Sequence, residues 1–106
     1  AELLSSEGIE CEIIDLRTVR PMDHKTIIDS VKKTNRLVIL EEAWPFGNVS
    51  TEITYQVQSQ AFDYLDAPIE KINTADTPAP YSPVLLQEWL PNSNDVINAV
   101  KKVLYK

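Results

Sequence analysis

Two arginines, Arg17 and Arg20 in the stretch D-L-R-T-V-R-P-M-D (residues 15–23), are the first side chains here whose type and spacing suggest chemistry. A guanidinium is always charged and presents a planar fork of donors, which suits a carboxylate or an anionic ligand. With 16 acidic residues against 10 basic ones, carboxylates are the expected partners, within the chain or across a subunit boundary. His24 is the only histidine, so any general-base or metal chemistry that needs imidazole must use this residue. It falls in the first turn of an expected helix, where a histidine usually just faces solvent. Glu41 and Glu42 end an apolar run, the place where α/β proteins put ligands. Neighbours along a strand point to opposite faces, so these two do not form a paired acid–base dyad. Cys11, the one cysteine, lies in an alternating apolar stretch and reads as a small buried hydrophobe rather than a nucleophile. The chain has two glycines and neither G-x-G-x-x-G nor a P-loop pattern, so no phosphate-cradling loop is expected. Trp44 and Trp89 stand near prolines at loop positions, as interface anchors or as lids on the core. The residues taken alone assign no catalytic, cofactor-binding or metal-binding side chain.

The elements that must position these residues follow from periodicity. Residues 1–7 read as the last turns of an amphipathic helix closed by Gly8 as its C′ residue, and a chain that opens on a helix end is expected to be a fragment. Residues 9–16 alternate into an apolar run and read as a strand, which Pro21 prevents from continuing. Asp23 should cap a helix over 24–34 with Ile27, Ile28 and Val31 on one stripe and Lys32 and Lys33 in the last turn. Arg36 to Leu40 reads as a strand covered on both faces, because its apolar run has no polar alternation. A helix over about 48–62 places Val49, Ile53, Val57 and Ala61 four apart, and residues 67–74 read as a third strand. Residues 76–83 carry three prolines and should be irregular. Asn92 or Ser93 should start a final helix with Val96, Ile97, Val100, Val103 and Leu104 inward. Alternating helices and strands imply an α/β fold with a largely parallel sheet between helix layers.

Composition narrows the function classes. At 106 residues and 43% hydrophobic content the chain makes one domain. A net charge of −6 and a pI near 4.6 argue against a nucleic-acid binder and against docking on an anionic membrane. No apolar run reaches the ~18 residues of a membrane span. A lone cysteine fits a reducing compartment.

Longer motifs carry a resemblance. The segments G-I-E-C-E-I-I-D-L-R-T-V-R-P-M-D (8–23), I-I-D-S-V-K-K-T-N-R-L-V-I-L-E-E-A-W-P (27–45), A-F-D-Y-L-D-A-P (61–68), A-D-T-P-A-P-Y (75–81) and A-V-K-K (99–102) resemble the transketolase-type C-terminal domain of pyruvate dehydrogenase beta subunits. The A-W-P and A-D-x-P-x-P-Y stretches look like the pyruvate type among 2-oxo acid dehydrogenases. The resemblance implies a three-layer α/β/α sandwich over residues 1–106, with further strands expected before Ala1, one of them central in the sheet. It implies a thiamine diphosphate-dependent enzyme of alpha and beta subunits that decarboxylates pyruvate and acetylates a lipoyl group. Thiamine diphosphate and magnesium would be held elsewhere in that enzyme, by the alpha subunit and the beta subunit's N-terminal domain. Implied partners are the alpha subunit, a second beta subunit, and the subunit-binding domain of dihydrolipoyl acetyltransferase. The implied compartment is the bacterial cytoplasm or the mitochondrial matrix. The docking residues implied are Asp66, in L-D-A-P, and Lys106, through its C-terminal carboxylate. Asp66 reads equally as a turn residue before Ala67 and Pro68, and the chain ends in lysine where many family members end in an apolar residue. Arg17, Arg20 and Trp44 are the candidates for a subunit interface, with residues 15–23 as a strand-to-helix latch at that boundary. The competing readings are a catalytic domain using His24 with Glu41 or Glu42, a free-standing α/β binding module, and the same domain of a related 2-oxo acid dehydrogenase or transketolase-like enzyme.

Overall fold

A computed structural model describes residues 1–106. The elements are α1 (Glu2–Ser5), α2 (His24–Thr34), β1 (Val38–Leu40), α3 (Val49–Ala61), a 3-10 turn (Phe62–Tyr64), β2 (Glu70–Ile72), α4 (Pro83–Trp89) and α5 (Ser93–Val103). The strands β1 and β2 pair in parallel, with Val38 opposite Glu70, Ile39 opposite Lys71 and Leu40 opposite Ile72. Alternation then puts Ile39 and Lys71 on one face and Val38, Glu70 and Ile72 on the other. Ile39 joins Ile27, Ile28 and Val31 of α2 and Ile53, Val57 and Ala61 of α3 in one buried cluster. The opposite face meets α5, where Lys102 Nζ lies 2.7 Å from Glu70 Oε1 and where Ala99 and Val103 are buried. The domain is therefore layered, α2 and α3 on one side of the strands and α5 on the other.

Helix boundaries follow the expected chemistry. Asp23 caps α2, its Oδ1 accepting from the Thr26 N–H at 3.1 Å and its Oδ2 from the Thr26 hydroxyl at 2.6 Å. Asn92 and Asp95 form a reciprocal capping box at the start of α5. Gly8 sits at φ +80°, and the paired bonds Gly8 N–H to Ser5 C=O and Ile9 N–H to Leu4 C=O close α1 in a Schellman turn. Tyr105 repeats that turn at the end of α5 with φ +59°, Tyr105 N–H bonding Lys102 C=O and Lys106 N–H bonding Lys101 C=O.

Five expectations need correction. Residues 9–16 are not a strand: the backbone N–H groups of residues 10–16 make no bond within the chain, and Ile13 is 72% exposed. The alternation in that stretch is real, but a ladder requires a neighbour, and β1 and β2 pair only with each other. Cys11 is half-buried rather than buried for the same reason. The strand expected over 36–40 is confined to Val38–Leu40, and Leu40 is 55% exposed, so its second face is not covered throughout. The strand expected over 67–74 shortens to Glu70–Ile72. Finally, α4 was not anticipated; Pro83, read as the end of an irregular loop, occupies the first turn of a helix, where its missing N–H costs nothing.

Candidate functional site

Because the strands are parallel, their ends define two poles. At the carboxyl pole, Glu41 follows β1, and its carboxylate reaches the start of α3. Its Oε1 accepts from the Ser50 hydroxyl at 2.5 Å and from Asn73 Nδ2 at 2.7 Å, and its Oε2 accepts from the Ser50 N–H at 3.2 Å. Ser50 is completely buried. Glu41 thus satisfies an orphan first-turn donor of α3 and ties it to the residue after β2. That engagement explains its position better than acid–base chemistry does. Glu42, in the bend beyond the end of β1, is exposed. His24 is half-buried at the start of α2, and its side chain meets neither glutamate through a hydrogen bond or ion pair. His24, Glu41 and Glu42 are not brought together, and no group of three His, Cys, Asp or Glu side chains converges anywhere in the chain.

The same pole holds both tryptophans. Trp44 Nε1 and Trp89 Nε1 each donate to the Thr77 carbonyl at 2.8 Å, so one carbonyl in the proline-rich loop takes two indoles. Ala75 N–H bonds the Trp89 carbonyl, Thr74 N–H bonds the Ala43 carbonyl, and Lys71 Nζ bonds the Pro45 carbonyl. Asn48 Nδ2 bonds the carbonyls of Trp44 and Phe46. Sequence reasoning named the tryptophans but missed the clamp, because a shared backbone acceptor leaves no trace in residue type. An open cleft of about 570 Å³ lies beside this pole, bordered by Leu40, Glu41, Glu42, Pro91, Asn92 and Ser93.

At the amino pole stands Asp66. Its N–H bonds the Asn35 carbonyl at 2.8 Å, and its carbonyl accepts from the Tyr105 hydroxyl at 3.3 Å. Its carboxylate is 58% exposed and lies 3.8 Å from the Arg36 guanidinium, whose Nε donates to the Val103 carbonyl at 2.9 Å. Asp66 is therefore a turn residue by its backbone and an available anion by its side chain. Lys106 follows Tyr105 directly, so the structure brings the two expected docking residues to one corner.

The arginines of residues 15–23 make no internal latch. Arg17, at φ +56°, faces Asp15 across 3.7 Å with both side chains at least three-quarters exposed, and Arg20 has no ion-pair partner in the chain. Such an exposed pair contributes little. Both guanidiniums remain available to something outside these residues.

These features define a layered α/β domain whose strand-end polar groups serve its own architecture and whose outward groups gather at two poles. The chain belongs to the family described as "Transketolase, C-terminal domain", which it matches over residues 1–96. It is 54% identical over 105 residues to "Pyruvate dehydrogenase E1 component subunit beta" of Rickettsia felis, covering 99% of this chain and 32% of that protein. The protein of the same name from Rhizobium meliloti is 56% identical over 103 residues, covering 97% of this chain and 22% of that protein. The mitochondrial counterpart of Bos taurus is 49% identical over 105 residues, covering 98% and 29%. The chain thus spans about a third or less of the length of these relatives.

Proposed function

We propose that this chain is the assembly and docking domain of a pyruvate dehydrogenase beta subunit, within an enzyme that oxidatively decarboxylates pyruvate and acetylates the lipoyl group of its acetyltransferase core. The observation that carries the reading is identity of about half, over almost the whole chain, to beta subunits from bacteria and from a mitochondrion. The bacterial cytoplasm or mitochondrial matrix is the matching compartment. Such an enzyme uses thiamine diphosphate with magnesium, which supplies the electron sink for decarboxylation. The residues of this domain do not fit that group. Glu41 and Glu42 border the cleft at the carboxyl pole and repel a diphosphate, and the first-turn donor of α5 at Asp95 is taken by Asn92. No chemical step is therefore assigned to this domain. Its partners in the reading are the alpha subunit, a second beta subunit, and the subunit-binding domain of the acetyltransferase. Asp66 and Lys106 serve the last, while Arg17, Arg20 and Trp44 serve subunit contacts.

The test uses the full-length protein co-assembled with its alpha subunit. Pyruvate decarboxylation read with an artificial electron acceptor should be present, and Asp66→Ala should leave it unchanged. The same variant should bind the acetyltransferase's subunit-binding domain at least about tenfold more weakly, since truncating one side of a desolvated charge pair costs about 2–5 kcal/mol. Wild-type docking by the variant would reduce Asp66 to a turn residue; lost decarboxylation with intact docking would move this domain into the chemistry.

A further inference from the structure

Two helix ends in this chain close with the same turn but with different residues in its left-handed position. Gly8 holds that position after α1 at φ +80°, and Tyr105 holds it after α5 at φ +59°. Glycine adopts this conformation freely, whereas a bulky side chain there is strained. A glycine would close α5 as well, so helix termination does not account for the tyrosine. Its hydroxyl does, by donating to the Asp66 carbonyl at 3.3 Å, 39 residues away in sequence. That bond is long and Tyr105 is 72% exposed, so it adds little to stability. Strain that brings no gain in stability points to a positional role.

A second contact braces the same corner. Arg36 Nε donates to the Val103 carbonyl at 2.9 Å, and its Nη1 lies 3.8 Å from Asp66 Oδ2. The two contacts use different nitrogens of one guanidinium, which the single nitrogen of a lysine does not offer. The Asp66 N–H bonds the Asn35 carbonyl at 2.8 Å, so both backbone polar atoms of Asp66 are held. Its carboxylate is 58% exposed and beyond hydrogen-bond length from Arg36, which leaves its lone pairs open to an outside cation. Given the docking role proposed for Asp66, on which this step rests, we infer that Tyr105 and Arg36 are its positioning residues. They brace the end of α5 against the turn at residues 64–67 and fix Asp66, with Lys106 next to Tyr105, before a cationic partner arrives. A corner ordered in advance costs the complex less entropy.

Docking is measured on the full-length protein co-assembled with its alpha subunit, with the acetyltransferase's subunit-binding domain as the probe. Loosening the corner lowers the fraction of molecules ready to bind, so the on-rate falls while the off-rate holds. Tyr105→Phe and Arg36→Lys should each slow association at least about threefold with dissociation unchanged. Asp66→Ala, which removes the contact itself, should act on dissociation instead. Tyr105→Gly separates position from stability. It relieves the strain, so the melting temperature should hold or rise, yet association should slow as in Tyr105→Phe. Hydrogen exchange at the Asp66 amide, read with no subunit-binding domain present, should quicken at least about threefold in Tyr105→Phe. Wild-type association in both Tyr105 variants would overturn the positioning role, as would an unchanged exchange rate. A melting temperature that falls in Tyr105→Gly would make the tyrosine a plain stability residue and overturn it too. Wild-type docking by Asp66→Ala would sink the docking role alone, and the exchange rate would then still decide whether the brace exists.

Discussion

At the scale of single residues, the structure gives Glu41 a role that its position at a strand end did not reveal. It is the acceptor for a buried hydroxyl, a helix N–H and an amide just past the carboxyl end of the neighbouring strand. Removing it leaves the Ser50 hydroxyl unpaired in a site with no solvent access. Glu41→Ala should therefore lower unfolding free energy by about 2–3 kcal/mol in urea titrations, as expected for buried donors that lose a charged acceptor. Glu41→Gln keeps one carbonyl acceptor and should lose clearly less; equal losses would mean that the carboxyl's size matters rather than its bonds. Asp23 was legible in the sequence, because a cap is a local feature written in residue type. The Thr26 hydroxyl and then the Thr26 N–H hold its carboxyl below the usual value of 3.8. A depressed carboxylate pKa stabilises the fold above that value and stops doing so as pH falls through the lowered one. The difference in melting temperature between wild type and Asp23→Ala should hold from neutral pH to about pH 4 and shrink below it. A difference that persists undiminished at pH 2 would show that the charge is immaterial to the cap.

At the scale of elements, legibility divides by whether a feature is local. The stripes of α2 and α3 and the start of α5 were readable because 3.6-residue periodicity and caps need only neighbouring residues. Residues 9–16 carry the pattern of a strand, yet a ladder is a property of two segments, and these residues have no partner here. The clamp of Trp44 and Trp89 on Thr77 was unreadable for a related reason, since it spans 33 residues on one side and 12 on the other. A carbonyl has two lone pairs, so either indole alone leaves the Thr77 oxygen bonded. Trp44→Phe and Trp89→Phe singly should therefore change loop order little, and the double variant should change it by more than the sum. Chymotryptic cleavage after Tyr81 gives the readout, with rapid cutting expected only in the double variant. Rapid cutting in either single variant would mean that packing of the indole rings, and not the shared bond, holds the loop.

At the scale of the whole molecule, the 106 residues make a layered domain whose sheet is too small for its helices. Only 15 of 106 residues are buried, and the radius of gyration is 14.4 Å, against about 13 Å for a compact domain of this length. Both strands are edge strands, because the sheet has just the pair β1–β2. A two-stranded sheet is marginal without further pairing, and an unpaired edge is a template for another strand. The seven N–H groups of residues 10–16 add a second unpaired row, next to exposed Ile13. In isolation this chain should then associate, its scattering mass rising above the 12.0 kDa monomer with concentration. Leu40 offers the lever: it ends β1 and is 55% exposed, so a lysine there should cost the monomer little. A lysine on an edge strand opposes strand addition, so Leu40→Lys should return the isolated chain toward monomer. Added salt should partly reverse that effect by screening the new charge. A wild-type chain that stays at 12.0 kDa across all concentrations would show that its edges are protected by packing that the unpaired amides do not reveal.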